Sequence, residues 1–498
     1  MGADPEVLAV LESAGLGDLA DRFAAEDIDR SVLWALHEED LCELGLAPAQ
    51  RLALLARLTG ERHAPAAVDR DERIPAPMAI AAAEQALQRS DLAEASHFLR
   101  QAEHSLARMG EAAADPLRLR VLIARSSISR SRHGISSDEA GRLGRQVLEL
   151  AQKLRETKSE LVALTGLYTH ALARAEYFVA GKWAELLSER AAQAQDATFH
   201  MIGRRGTGVV ALHVGSLTQA VAALQEALDG YDEALHLELA YAHGYDHAEI
   251  CSGFLSFARW ITGDPAGARN ASDFAVAHAR RIAHMHSLAQ ALVFRAMMMS
   301  LAQDWDASQA AAEEGEAVGR QHGLELMRAA SRFFGHAARL SASPSPPDAA
   351  GLAALRQSHA AFTHVNPCNS QQLCGLLLTS LQLRAGAFAE AEASLLQAEH
   401  VQARTRETFL QPELLRMRAQ LLRARGDAAA AERQLDAALQ NATRMGATML
   451  ALRIACDMAE AMPSADALAQ LATLRGKLVS VDHGADMRRC EALLAGAP

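Results

Sequence analysis

Gly215-Ser216-Leu217-Thr218-Gln219-Ala220 and Gly263-Asp264-Pro265-Ala266-Gly267-Ala268 are two copies of one phrase, a turn followed by the opening of a helix. The phrase returns as Gly386-Ala387-Phe388-Ala389-Glu390-Ala391 and Gly426-Asp427-Ala428-Ala429-Ala430-Ala431. Weaker copies read Ser90-Asp91-Leu92-Ala93-Glu94-Ala95, Gly181-Lys182-Trp183-Ala184 and Gln303-Asp304-Trp305-Asp306-Ala307. Each follows another helical stretch. Helix-pair turns recurring at about 35 to 48 residues specify a stacked solenoid, an architecture used for binding more often than for catalysis. After Gly215, the positions Ala220, Ala223, Leu224, Ala227 and Leu228 fall at i, i+3, i+4, i+7 and i+8, one face of a helix. Ala431, Leu435, Ala438 and Leu439 repeat the pattern after Gly426.

Composition agrees. Half of the 498 residues are apolar but only 4% are aromatic, the bulk being alanine and leucine. Both favour helix over strand, so an all-α fold is expected. A chain of this length exceeds one ordinary domain unless it is a repeat array. The net charge of −12 argues against nucleic acid as the main partner, because phosphate binding needs clustered positive charge. Thirteen acids against five bases in residues 1–62 carry most of that excess. The bases are nearly all arginine, lysine occurring only at Lys153, Lys158, Lys182 and Lys477. Six scattered cysteines suggest no disulfide framework and suit a reducing, cytoplasmic setting. The start, Met1-Gly2-Ala3-Asp4-Pro5-Glu6, lacks the basic-then-apolar order of a secretory leader. No apolar run approaches the ~18 residues that span a bilayer, so no membrane partner is expected.

Residues 1–62 read as a compact helical unit with apolar positions from Val7 and Leu11 to Leu54 and Leu58. Three stretches are distinctive: Leu11-Glu12-Ser13-Ala14-Gly15-Leu16 with Phe23 and Ile28-Asp29; Glu38-Glu39-Asp40-Leu41-Cys42-Glu43-Leu44-Gly45-Leu46; and Arg51-Leu52-Ala53-Leu54-Leu55. In order and spacing they resemble the sterile alpha motif (SAM) family. The resemblance implies a five-helix bundle used for self-association or for pairing with other such domains. Two departures, His37 in place of a capping threonine and Ala47-Pro48-Ala49-Gln50-Arg51 before the last helix, leave the fold intact. By the same resemblance, Glu38, Glu39, Asp40 and Glu43 would form an acidic surface, with Arg51 and Arg57 as the basic counterpart and Trp34 as an interface anchor. A solvated acidic face, with Trp34 in the core, is the plainer alternative. Residues 63–77, with Pro65, Pro75, Pro77 and the run Asp69-Arg70-Asp71-Glu72-Arg73, are expected to be a linker.

Residues 78–498 resemble tetratricopeptide (TPR) repeats with variable spacing, interrupted by an expected loop at Ser341-Ala342-Ser343-Pro344-Ser345-Pro346-Pro347. Tyr231-Asp232 with His236, His243-Gly244-Tyr245-Asp246, Trp260 before Gly263-Asp264, and Glu413-Leu414-Leu415-Arg416-Met417-Arg418 narrow the likeness. Over roughly residues 200–460 the chain is similar to the C-terminal TPR region of bacterial class III nucleotide cyclases. That resemblance implies a bacterial signalling setting. Neither a P-loop nor a cyclase metal-carboxylate segment is present in the sequence.

Other motifs carry little chemistry. Gly203-Arg204-Arg205-Gly206-Thr207-Gly208 fits no dinucleotide or phosphate-loop spacing and reads as a helix that must pass close to a neighbour. His243 with His247, the cluster His278, His284 and His286, and the trio His364, Cys368 and Cys374 have residue types that bind metal, but helix ends and turns explain them better. No cofactor or metal is expected, and no catalytic constellation can be singled out. Too few lysines are present for the lysine-rich carboxylate grip of some TPR proteins. Arg204, Arg205, Arg259, Arg295 and Arg332, with Tyr245, are the groove candidates, since arginine grips acidic groups bidentately.

The expected protein is therefore a non-enzymatic signalling scaffold. The SAM-like unit assembles or recruits, and the superhelix binds a protein or peptide. Two alternatives are a sensor holding a small molecule inside the superhelix and a metal-dependent hydrolase on a helical scaffold.

Overall fold

The computed structural model describes residues 5–26, 28, 33, 41, 44, 46–47, 50–51, 54–55, 74–89, 91–366, 370–481 and 483–496. The chain divides into two compact units, Met1–Arg73 and Ile74–Pro498.

In the first unit, helix α1 (Pro5–Ser13) is followed by a single 3-10 turn, Gly17–Leu19, and helix α2 (Ala20–Ala25). Gly15 ends α1 in the left-handed region (φ 71°), and the Leu16 amide returns to the Leu11 carbonyl at 2.8 Å. Val7, Leu11, Leu16, Phe23, Ile28, Leu33, Leu41, Leu46 and Leu54 form this unit's own buried core. Of the residues expected to make the SAM-like surface, Arg51 donates to the Leu46 carbonyl at 2.9 Å and is partly buried. Trp34, Glu38, Glu39, Asp40, Glu43 and Arg57 lie outside the described residues.

The second unit is an all-α superhelix, and no strand occurs among the described residues. It opens with α3 (Ala76–Gln88), α4 (Leu92–Leu106), α5 (Glu111–His133), α6 (Asp138–Leu154), α7 (Thr157–Ala173) and α8 (Tyr177–Gln193). The middle is α9 (Ala197–His213), α10 (Leu217–Asp229), the short α11 (Glu233–His243), α12 (His247–Thr262), α13 (Pro265–Arg281), α14 (Met285–Leu301), α15 (Trp305–Gln321) and α16 (Glu325–Ala342). It ends with α17 (Ala349–Val365), α18 (Gln371–Arg384), α19 (Phe388–Thr405), α20 (Gln411–Ala424), α21 (Ala428–Met445), α22 (Thr448–Ala461), α23 (Ala465–Arg475) and α24 (Ala485–Ala495). The Pro344–Pro347 stretch lies in the connection between α16 and α17.

The repeated phrase is a two-residue hinge between paired helices. Gly215, Gly263, Gly386 and Gly426 all have positive φ, and the next residue's amide bonds back five residues. These bonds are Ser216 to Ala211, Asp264 to Arg259, Ala387 to Gln382 and Asp427 to Leu422, each 2.8–3.0 Å, the hydrogen bond that closes a helix over a left-handed residue. Asp264 and Asp427 then cap the following helix by accepting from the Gly267 and Ala430 amides. Asp304 does the same after Gln303. Gly181-Lys182-Trp183 is a correction to the sequence reading. It lies inside α8, and the hinge sits at Ala175-Glu176, with Ala175 at φ 55°.

Burial separates two classes of helix. In α10, only Leu217, Ala220, Ala223, Leu224 and Ala227 are buried, a single stripe that keeps four of the five positions read from the sequence and leaves Leu228 partly buried. In α12, thirteen of sixteen residues are buried, and in α9 twelve of seventeen. A helix buried on nearly every side is an inner one. Helices α9 and α12 therefore lie inside, and α10 lies on the outer layer. Glycines let α9 come close. A Cβ on Gly203 would lie 2.6 Å from the Ser188 nitrogen, and one on Gly208 2.6 Å from Leu224 Cγ.

The C-terminal pairs return onto the middle ones. The Thr408 amide donates to the His213 carbonyl at 2.7 Å, and the Val479 amide to the Gly263 carbonyl at 2.8 Å. The Ser480 hydroxyl bonds Asp264 at 2.7 Å. Among the described residues, no helix is long and apolar enough to cross a membrane.

Candidate functional site

The inner helices enclose a cavity of about 270 Å³. One wall is α9, which presents Arg205, Val209, Leu212 and His213 over about two turns. Opposite walls come from Phe254 and Phe257 of α12, Val293, Phe294 and Met297 of α14, and Met327 and Ala330 of α16. The connection before α20 closes one side with Glu407 and Phe409, and Gln372 of α18 stands beside them. A surface recess of about 880 Å³ adjoins the cavity and shares Leu326 and Asn366 with it. The recess also carries Phe178, Arg404 and Arg406, with the Arg406 guanidinium 5.8 Å from the Phe178 ring centre.

Most of the cavity wall is hydrocarbon, but its polar atoms are incompletely satisfied. Arg205 is only 3% exposed. Its guanidinium reaches the Tyr245 hydroxyl at 3.3 Å and lies 5.1 Å and 5.9 Å from the ring centres of Tyr245 and Tyr168. Arg205 Nε, Gln290 Oε1, Gln372 Oε1 and Glu407 Oε2 are buried without a hydrogen-bond partner. The other Glu407 oxygen meets His213 Nδ1 at 2.5 Å. The His213 ring stacks on Tyr177 at 4.3 Å and meets Phe254 and Phe409 edge-on. Such buried unpaired groups cost free energy unless a partner is supplied.

A second polar network supports the cavity from behind. Asp246 accepts from Tyr231 Oη at 2.7 Å, His278 Nε2 at 3.0 Å and the Glu249 amide at 3.0 Å. The Asp246 amide donates to Ser287 Oγ. Burial alone pushes the Asp246 carboxyl up, but the bonds from His278, the Glu249 amide and Tyr231 outweigh it, and the group titrates below its usual range. Tyr231, Asp232, His236 and Asp246, quoted together from the sequence, thus belong to one connected cluster, with Asp232 capping α11 and its amide donating to His236 Nδ1.

Glu249 is fully buried, and neither carboxyl oxygen has a hydrogen-bond partner. Burial pushes its carboxyl well above the ordinary 4.5, Asp246 pushes it further, and Arg205 opposes both. Burial likewise pushes the Tyr168 phenol and Cys251 thiol up to about 12. A folded pKa raised above the unfolded one stabilises fully below the unfolded value, and that stability is lost as pH rises toward the folded value. The slope is about 1.36 kcal/mol per pH unit for a single group. Glu249→Gln is therefore expected to melt higher than the parent at pH 8, the two converging near pH 4.5. Parallel melting curves across that range would show that Glu249 is ionised in the fold.

Of the groove candidates, Arg205 and Tyr245 line the cavity. Arg204 pairs with Glu226 at 2.7 Å, Arg295 with Asp273 at 2.7 Å and Arg332 with Glu316 at 2.7 Å, while Arg259 donates to Gln225 at 2.7 Å. None of these four lines the cavity. Arg204 and Arg205 differ only by one residue of helix rotation, which sends one to a surface acid and the other inward. His284 is the N-cap of α14, a helix-end role. Among the described residues, no group of three side chains is placed to hold a metal ion. Cys368 lies outside the described residues.

No family model matches the chain. An uncharacterized protein of Rhizobium meliloti (strain 1021) is 26% identical over 402 residues, which cover 77% of this chain. The match takes in 37% of that protein, so the chain spans little more than a third of its relative's length. Among solved structures, the crystal structure of Rap protein complexed with competence and sporulation factor aligns at a TM-score of 0.48 and 11% identity, over 74% of this chain and 98% of that one.

Proposed function

We propose that the chain is a non-catalytic binding protein whose helical-repeat unit takes a ligand in the cavity between its inner helices. The observation that carries this reading is the cavity itself, apolar-walled and bearing buried polar atoms without partners. Concave, mostly apolar sites with a few convergent polar groups are the usual form of a ligand pocket. The ligand is a small organic molecule or the end of a peptide, of a size to be engulfed rather than laid along a surface. The N-terminal unit assembles or recruits, as its SAM-like sequence implies, and the cyclase-like phrases favour a bacterial signalling setting.

The neutral fluorescent dye N-phenyl-1-naphthylamine tests the cavity. Saturable one-to-one binding to the full chain is expected, abolished by Ala330→Trp and weakened by the milder Ala330→Leu, since Ala330 lines the cavity. Dye binding indifferent to both substitutions would remove the cavity from consideration. Deleting residues 1–73 is expected to leave dye binding intact and to change the oligomeric state measured by light scattering. Unchanged assembly would leave the N-terminal unit without a recruiting role.

A further inference from the structure

We infer that the cavity takes an organic acid with a linear apolar body, its carboxylate held by Arg205 and Tyr245. This rests on the binding role proposed above and names the chemistry of the ligand. Arginine has five N–H donors and keeps its charge in any protein environment. Among the described residues Arg205 has one hydrogen bond, a long one to Tyr245, and two ring faces beside it. Among the described residues it forms no ion pair; the buried Glu249 carboxyl lies within its electrostatic reach but is not bonded to it. A buried guanidinium so placed is stabilised by the rings but lacks the planar bidentate acceptor it fits best, a carboxylate.

The rest of the cavity sets the ligand's body and direction. Val209, Leu212, Phe254, Phe257, Val293 and Phe294 give an apolar passage leading away from Arg205. At its other end stands the Glu407 carboxylate, one oxygen on His213 and the other unpartnered. Arg205 and His213 are eight residues apart on α9, roughly 12 Å at 1.5 Å per residue. A ligand carboxylate meets a cationic donor at Arg205 and, at the other end, an acid already engaged with His213, so a molecule with one anionic end enters in one orientation. The adjoining recess is lined by Arg174, Arg404 and Arg406 against one acid, Glu176, an excess of positive charge that favours the approach of anions. A phosphoryl dianion suits the site less, since one guanidinium among hydrocarbon walls leaves its remaining oxygens without donors.

Two sources supply this chemistry, a fatty carboxylate and the C-terminus of a short apolar peptide, and displacement of N-phenyl-1-naphthylamine from the full chain separates them. Decanoate is compared with 1-decanol, and trileucine with its C-terminal amide. The acid of at least one pair is expected to displace the dye at a concentration about tenfold below its neutral counterpart, and Arg205→Gln is expected to bring that ratio close to one. The pair that shows the preference identifies the source. Equal displacement by acid and neutral compound in both pairs, or a ratio unchanged in Arg205→Gln, overturns the inference while leaving the cavity as a binding site. Failure of the parent chain to bind the dye overturns both readings. Should Arg205→Gln fail to fold, the ratio in the parent chain decides alone, and Tyr245→Phe is expected to narrow it.

Discussion

Arg453→Ala is expected to destabilise the helical-repeat unit by about 3–5 kcal/mol, the usual cost of breaking a buried ion pair by removing one partner. Arg453 is 2% exposed. It donates to Asp486 at 2.9 and 2.7 Å, to Glu413 at 3.3 Å and to the Leu301 carbonyl at 2.7 Å, with the Trp260 ring centre 5.0 Å away. Glu413 also holds Arg416, which reaches Asp457 at 3.1 Å, and Asp457 holds Arg489 at 2.6 Å. The alanine leaves the buried Asp486 without its guanidinium partner. Because an apolar pair of similar volume is often no worse than a buried ion pair, Arg453→Met with Asp486→Leu is expected to recover part of the loss. Urea unfolding of the three chains checks this, and a single variant as stable as the parent would show that water reaches the network.

The same network predicts acid lability. Burial pushes Glu413 up, but Arg416 and Arg453 outweigh it, and Arg416 and Arg489 do the same for Asp457. Both carboxylates titrate below their ordinary values of 4.5 and 3.8 in the fold. Their stabilisation is complete above those values and is lost as pH falls through the lower folded ones.

Gly203→Val is the second large effect, a loss of about 3 kcal/mol, the upper end of ordinary overpacking. A Cβ there meets the Ser188 nitrogen at 2.6 Å and its Cα at 2.8 Å, backbone atoms that cannot rotate aside. Helices α8 and α9 must separate, and the ~1 kcal/mol by which glycine disfavours a helix interior does not offset that. Because α9 carries Arg205 and His213, the variant should also bind the neutral dye more weakly. Full stability with full dye binding would mean that α9 shifts freely.

The glycine-marked hinges were legible because a left-handed residue at a helix end selects glycine, and an acid after it caps the next helix. The hinges at Ala175, Gln195 and Ala283 were not, although each has positive φ. There the closing hydrogen bonds, Glu176 to Ala171 and Asp196 to Ala191 among them, impose the conformation on residues that do not advertise it. Gly181 misled for the converse reason, since it marks close passage by Val210 rather than a turn. At the site, the sequence offered five arginines on equal terms, and only helix phase separates Arg205 from Arg204. The pairing of His213 with Glu407 joins positions 194 apart in the chain, beyond any local pattern.

The return of Thr408 to His213 and of Val479 to Gly263 has a consequence for how such a chain can change over time. An open repeat array grows or shrinks by whole units, since each touches only its neighbours. Here the helices between α9 and α20, and between α12 and the segment after α23, must total the right rise and rotation for the two contacts to meet. Duplicating or deleting a pair within those spans would throw one or both out of register, so the number of repeats is fixed by geometry, and variation is confined to the arms outside the closure and to the residues facing inward.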